Sequence, residues 1–452
     1  MSNETESLPD SRQAGDDCPL PVSVQVRNII CYAVFWSIYY LSAPVSYVGL
    51  THANLLKALG NTDTINNLPA AMYQWLAVLP VLMAWVFPQP RYLKPLALAS
   101  MGVMAAMTAA VAVTLWSGAS SAVSTWVVVA HGAVFGAANG VLITTLWDFL
   151  RRGVATKRRG PALGFTYSIG PLFACVGAVL QDALFQGRLL RGVSLGLQFP
   201  DNYMVMFGGV APMLLAAMLL IAAFAIPAHS EATDDNRRLS RAVLADLFGE
   251  VVAGLRQFIY NKPVLMAVGL YIVVASGGNA IFSNVSLHAK DVLGETTETL
   301  GLQSFLRFGF KAVAGGLLGW LLARTSPRAT LLATTSILLL GMGWALTSRG
   351  WWFMVTFGLL GAGELYGAYF PNYVTTASPK PVVRLNMAYL SVLGALIGFA
   401  SLALGMISDV FGRMYGQTSG RVASFYVATA LLVLALIAIG LVLPANPTPR
   451  EE

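Results

Sequence analysis

The sequence predicts an all-α membrane protein with twelve transmembrane helices in two six-helix halves. Three observations lead there: charge is scarce, apolar runs long enough to cross a bilayer recur, and Lys and Arg collect at one end of those runs. Only 11% of the 452 residues are charged and 56% are hydrophobic. A soluble domain carries roughly 25% charged residues. So little charge cannot cover a soluble surface, and disordered and nucleic-acid-binding chains need more of it. A single soluble core of this size would also exceed the roughly 250–300 residues at which cores stop growing.

Twelve apolar stretches span residues 28–48, 67–87, 95–116, 123–147, 162–184, 203–227, 263–283, 301–323, 329–347, 352–373, 385–409 and 422–444. Each approaches the ~20 residues that cross a bilayer as a helix. The runs are continuous rather than alternating, which excludes a closed barrel. With a cytoplasmic N-terminus, 19 Lys and Arg fall in cytoplasmic segments and 7 on the other side. That bias sets orientation, and an even number of spans puts both termini in the cytoplasm.

Residues 1–27 hold Glu4, Glu6, Asp10, Asp16 and Asp17. This acidic start is unlike a basic, cleavable signal and reads as a cytoplasmic tail. Spans 1–6 form an N-terminal half, 28–227. A polar cytoplasmic segment, 228–262, follows. It begins as a linker and continues with Leu239, Val243, Leu244, Leu247, Val251, Leu255 and Phe258 at helical spacing. That pattern fits an amphipathic helix, on the membrane surface or packed on protein. Spans 7–12 form a C-terminal half, 263–445, before a cytoplasmic tail, 446–452. Span spacing repeats with a shift of about 235–240 residues, as in transporters built from parallel repeats. Three cysteines and four scattered histidines exclude a disulfide framework and a metal centre.

The loop after span 8 reads Gly319-Trp-Leu321-Leu-Ala323-Arg324-Thr-Ser326-Pro-Arg328. It resembles the G-x-L-a-D-R-x-G-R-R loop of the major facilitator superfamily at Gly319, Leu321, Arg324 and Arg328. Ala323 replaces the usual Asp and Ser326 the usual Gly. The resemblance covers about residues 27–445 and implies a loop that latches one conformation, with Gly319 letting helix ends approach. Asp148 is a candidate substitute for the missing acid. The Arg that many proton-driven members carry in span 4 is absent, with His131 beside its position. Gly164, Gly170 and Pro171 partly resemble an antiporter motif and also suit ordinary packing.

Charges at bilayer depth cost roughly 2.5–3.5 kcal/mol on insertion scales, so they point to function. Arg307 and Lys311 share one face of span 8, and Glu364 lies at similar depth in span 10. Either Arg307 and Lys311 attract an anion while Glu364 takes up a proton, or Lys311 and Glu364 neutralise each other and Arg307 snorkels outward. Asp182 is a candidate outer-gate partner of Arg307, and Asp409 an interfacial cap. The resemblance implies that spans 1, 4, 7 and 10 line a cavity. Their polar and aromatic residues, Tyr32, Trp36, Tyr39, His131, Asn139, Tyr271, Asn279 and Tyr366, are then the substrate-binding candidates. Glu364 and His131 are the proton-coupling candidates.

The expected function is secondary active transport of a small organic solute, leaning to an organic anion, across the cytoplasmic membrane. No phosphate-binding G-x-x-x-x-G-K-[ST] loop is present, so a gradient, foremost of protons, supplies the energy. The expected protein is a monomer that needs no cofactor and is not an enzyme. A neutral sugar, a nucleoside or a drug is the alternative cargo. A non-transporting sensor or scaffold and a polytopic membrane enzyme are the alternatives of other classes.

Overall fold

The computed structural model describes residues 18, 20–79, 83, 90–189, 193–227, 255–294, 298–379 and 383–447. The acidic tail, the linker with Leu239, Val243, Leu244, Leu247 and Val251, and residues 448–452 lie outside them.

The first part of the chain folds as α1 (Val22–Leu41), α2 (Ala43–Ser46), α3 (Leu50–Ala58), α4 (Asp63–Leu76), α5 (Leu93–Trp116), α6 (Ser121–Gly153), α7 (Thr156–Phe185) and α8 (Asp201–Ala223). A two-residue antiparallel ladder, β1 (Arg188–Leu189) with β2 (Val193–Ser194), joins α7 to α8. The second part folds as α9 (Lys262–Gly278), α10 (Phe282–Leu293), α11 (Leu300–Arg324), α12 (Pro327–Thr347), α13 (Val355–Gly363), α14 (Tyr366–Ala377), α15 (Val383–Gly394), α16 (Ile397–Tyr415) and α17 (Gln417–Val442).

Among the described residues, eight helical stretches are long and apolar enough to cross a membrane, and Ile169–Phe185 is a shorter apolar one. Local chemistry sets several boundaries. Ser120, Asn261 and Ser326 each accept a backbone N–H as N-caps, and Pro263 and Pro327 open α9 and α12. Gly416 (φ 91°) turns α16 into α17 with a conformation that a side chain would strain.

Several expected spans differ in form. The first continues beyond α2, through Gly49, into α3. The tenth is cut at Glu364 into α13 and α14. The last starts at Gln417, which brings Arg421 inside a helix instead of leaving it in a loop.

Buried side chains form two large cores. One draws on residues 31–224 plus Leu300 and Phe308, the other on residues 258–443 plus Leu50. Phe258, from the amphipathic segment, is buried in the second core against Tyr389. Helix pairs α7/α11 and α4/α16 join the cores. The close approach needs glycine: a Cβ on Gly301 would sit 2.2 Å from the Cβ of Asp182, and one on Gly398 2.7 Å from the Ala71 carbonyl. Gly301→Val should therefore overpack the α7/α11 contact by about 1–3 kcal/mol and lower the melting temperature. Gly309→Val, with open space around it, is the control; equal melting of the two variants would contradict this packing.

Candidate functional site

Arg307 and Lys311 lie one helical turn apart in the middle of α11. Gly361 lets α13 approach so closely that a Cβ there would lie 2.3 Å from the Arg307 carbonyl oxygen. That approach brings Glu364, at the break after α13, onto both cations. Arg307 donates to Glu364 through Nε (3.0 Å to Oε2) and through Nη2 to Oε1. Lys311 Nζ donates to Oε2 at 3.1 Å. The side chains of Arg307 and Glu364 are only 8% and 7% exposed. Two cations thus share one carboxylate, and the triad carries a formal charge of +1.

Aromatic rings enclose the cations. The Arg307 guanidinium lies 4.2 Å from the Phe282 ring centre and 5.4 Å from that of Tyr47; Lys311 Nζ is 5.5 Å from the same Tyr47 ring. Tyr47 comes from the link between α2 and α3, so it reaches the triad from the other core. Tyr39 donates to Asn139 Oδ1 at 2.6 Å, and Asn139 Nδ2 donates to the Tyr73 hydroxyl at 2.6 Å. Tyr271 packs with Tyr366, which adjoins Glu364.

Charge and polar side chains also close the bundle at the end opposite the termini. Asp63, fully buried at the start of α4, accepts from Arg421 Nε at 3.0 Å, Ser408 at 2.8 Å and Gln417 at 3.0 Å. Arg421 also pairs with Asp291 at 2.7 Å, and His288 contacts Asp291 at 3.3 Å. Asp409 accepts from the backbone N–H groups of Asp63 (2.9 Å) and Thr64 (2.8 Å). It thereby caps a helix of the other core, where the helix dipole favours a carboxylate. Asn54 donates to Ser286 (2.7 Å), Asn67 to Asn284 (2.7 Å) and Ser304 to Gln181 (3.0 Å). These named hydrogen bonds between the cores lie between the triad and this far end.

No protein-family model matches the sequence, and no curated protein sequence matches it. Solved structures do. A bacterial homologue of the human drug peptide transporters PepT1 and PepT2 superposes with TM-score 0.63 at 14% identity, covering 92% of this chain and 96% of its own. A bacterial homologue of the human lysosomal transporter Spinster gives 0.65 at 13%, covering 95% and 100%. The xylose transporter XylE from E. coli gives 0.64 at 11%, covering 94% and 96%. The chain has the major facilitator fold.

Within this fold the residues expected to form the latch make the following contacts in the present state. A Cβ on Gly319 would meet nothing within 4 Å, so this glycine mediates no close helix approach. Arg324 lies over the Trp320 ring at 4.7 Å. Arg328 donates to the Gly440 and Leu443 carbonyls at the end of α17, a favourable place for a cation. Among the described residues, no ion pair joins Asp148 to Arg151, Arg324 or Arg328.

Several expected cavity residues also sit elsewhere in the fold. His131 turns away from the triad into the first core: its Nδ1 meets His52 Nε2 at 3.1 Å and its Nε2 meets Thr108 at 3.1 Å, beside Phe207. Polar partners inside the helix bundle attract it there. Tyr32 and Trp36 are buried in the same core. Asn279 ends α9 half-buried. Asp182 accepts from Gln186 at 2.6 Å, while Arg307 is held by Glu364, so no Asp182–Arg307 pair forms. Gly170 packs against the Tyr40 ring, a packing role. Arg307 does not snorkel, because Glu364 neutralises it in place.

Sequence reasoning missed Tyr47, Tyr73 and the Asp63–Arg421 closure. The missed closure residues lie at span ends, where a charge usually meets water. The one available signal was Asp63 immediately before a helical run, the position of a helix-start acid.

Proposed function

We propose that this multi-pass membrane protein is a secondary active transporter of a small organic anion. The observation that carries this reading is the triad: a net positive charge in the middle of the bundle, between aromatic walls. Buried charge without a counterion is costly, so a +1 site favours an anionic ligand over a neutral sugar or nucleoside. Twelve spans in two halves, 28–227 and 263–445, suit the two separate cores. The far end is the outer side, since most Lys and Arg cluster at the end holding the termini. The present state then faces inward: the α7/α11 and α4/α16 contacts close it outside. Rocking of the halves would break those contacts and present the triad to the exterior, as expected for transporters with a midplane site.

A proton on Glu364 would release Arg307 and Lys311 for an incoming anion, which makes Glu364 the proposed proton carrier. Tyr39, Asn139, Tyr271 and Tyr366 are the proposed polar lining. The protein acts as a monomer in the cytoplasmic membrane and performs no covalent chemistry.

Counterflow into proteoliposomes loaded with candidate organic anions tests the transport reading; exchange of none of them would defeat it. Lys311→Ala should weaken anion binding by about tenfold or more, the scale of one charge-assisted hydrogen bond. If instead Lys311→Ala only impairs folding and Lys311→Ala/Glu364→Ala restores it, the ion pairs are structural.

A further inference from the structure

The closure at the outer end holds a titratable group that the transport reading does not use. His288, on α10, is buried between the rings of Phe353 (5.3 Å) and Phe425 (5.2 Å). Its Nδ1 meets Asp291 Oδ2 at 3.3 Å; a carboxylate only accepts, so that nitrogen carries the hydrogen. The other oxygen of Asp291 accepts from Arg421 Nη1 at 2.7 Å, and Arg421 Nε donates to Asp63 at 3.0 Å. His288 is therefore linked through Asp291 and Arg421 to the acid that comes from the first core.

Opening divides these groups unequally. His288, Asp291, Arg421 and Asp409 stand on α10, α16 and α17, as do Ser408 and Gln417, which also donate to Asp63. Asp63 leaves with α4. With a neutral imidazole, the face on which Asp63 docks carries one guanidinium and two carboxylates, a formal charge of −1. A proton on His288 brings that face to zero. It also draws Asp291 towards the imidazolium and leaves Arg421 freer to serve Asp63. Both effects favour docking of an anion, and hence the closed state.

The surroundings leave this difference intact. On α10 itself, Lys290 pairs with Glu298 at 3.6 Å. From α3 come His52, turned to His131, and the half-buried Lys57. From α4 come Asp63 and, further along, Tyr73. From α16 come Asp409 and the exposed Arg413 and Tyr415, and from α17 Arg421 and the exposed Tyr426. The 3-10 turn Gly350–Met354 contributes Phe353, with the exposed Arg349 before it. Arg307, from α11, lies over Phe282 at the opposite end of α10. Among the described groups bonded into this closure, the imidazole is the one whose charge changes between pH 5 and 8. Asp291 is partly exposed, so protons reach the pair from the outer side.

We propose that His288 makes the outer closure pH-sensitive: a proton taken up from the outer solution onto its imidazole strengthens the docking of Asp63 and holds the bundle closed at that end. The proton binds and leaves on the same side, so it is not transported and supplies no driving force. The inference rests on the reading of the far end as outer and not on the nature of the cargo.

The test puts spin labels at Ser117→Cys, at the outer end of α5, and Thr418→Cys, at the start of α17, both exposed positions. The full chain, lacking Cys18, Cys31 and Cys175, is held in lipid nanodiscs without cargo. Label-to-label distances are measured by electron–electron double resonance at about pH 8 and about pH 5.5. Acidification should raise the ratio of closed, short-distance protein to open protein by about tenfold, the scale of a typical coupling between two sites. His288→Gln, which stays neutral, should lose that response. Asp63→Asn, which removes the docking charge, should lose it with His288 still in place. A closed fraction that is unchanged or falls on acidification overturns the inference. A response as large in His288→Gln as in the parent assigns the proton to another group and overturns it too. If His288→Gln misfolds, the parent and Asp63→Asn decide: an undiminished response in Asp63→Asn defeats the proposed link. Each outcome is read without cargo, so the anion-transport reading stands or falls separately by counterflow.

Discussion

Arg421→Ala is expected to open the far end of the bundle. Arg421 is 2% exposed and serves two acids, Asp63 in one core and Asp291 in the other. Removing it leaves the buried Asp63 carboxylate and the half-buried Asp291 carboxylate without their guanidinium. Breaking a buried ion pair from one side costs about 3–5 kcal/mol, because the remaining charge is uncompensated. The contact joins the two cores, so the loss falls on the state closed at this end. The closed-to-open ratio should drop by about a hundredfold or more. A cysteine introduced as Ser304→Cys, in protein lacking Cys18, Cys31 and Cys175, reports the change. Ser304 is buried between α7 and α11 against Gln181, so its thiol should react slowly in the parent and quickly with Arg421→Ala. An unchanged reaction rate would remove the closure role. Asp409, which caps α4 without contacting Arg421, should not compensate.

The second large effect is expected at Glu364. Glu364→Gln keeps the shape of the side chain and two polar atoms for Arg307 and Lys311, but it can no longer gain and lose a proton. If Glu364 carries the coupling proton, gradient-driven accumulation should vanish, from about tenfold per pH unit of gradient to none. Exchange of labelled for unlabelled anion across the membrane should persist, since it needs no proton cycle. Proteoliposomes assayed in both modes separate the outcomes. Retained accumulation with unchanged pH dependence would assign the proton to another group. His131 is poorly placed for that task, because its two ring nitrogens are engaged by His52 and Thr108 inside the first core.

Much of the fold was legible from composition. Runs such as 95–116, 203–227 and 329–347 each became one apolar helix, α5, α8 and α12, because a backbone in lipid must satisfy its own hydrogen bonds. The candidate triad was also legible. Arg307, Lys311 and Glu364 are too costly at that depth to be incidental. Spacing alone put the two cations on one face, and matching depth suggested the Lys311–Glu364 pair. Spacing could not show that Arg307 joins the same carboxylate, since that depends on how closely Gly361 lets α13 approach α11.

The aromatic candidates of span 1 stay together: Tyr32, Trp36 and Tyr39 are all buried in the first core, and Tyr39 meets Asn139 there. A helical stripe gives direction only relative to its own axis. Which neighbour the stripe faces depends on the packing of other helices. The loop resemblance placed Gly319, Arg324 and Arg328 correctly at one end of α11 and α12. It did not foresee that Arg328 would bind the carbonyls that end α17.

By itself the sequence determined that this is a membrane protein of apolar helices and that three charges lie deep in its C-terminal part. Both follow from transfer costs, which each segment incurs alone. Only the tertiary structure decided which of those charges meet, that Tyr47 reaches them from the other core, and that Asp63 and Arg421 close the far end. These are contacts between segments as much as 358 residues apart. Their energies depend on distance and on exclusion of water, which only the packed bundle supplies.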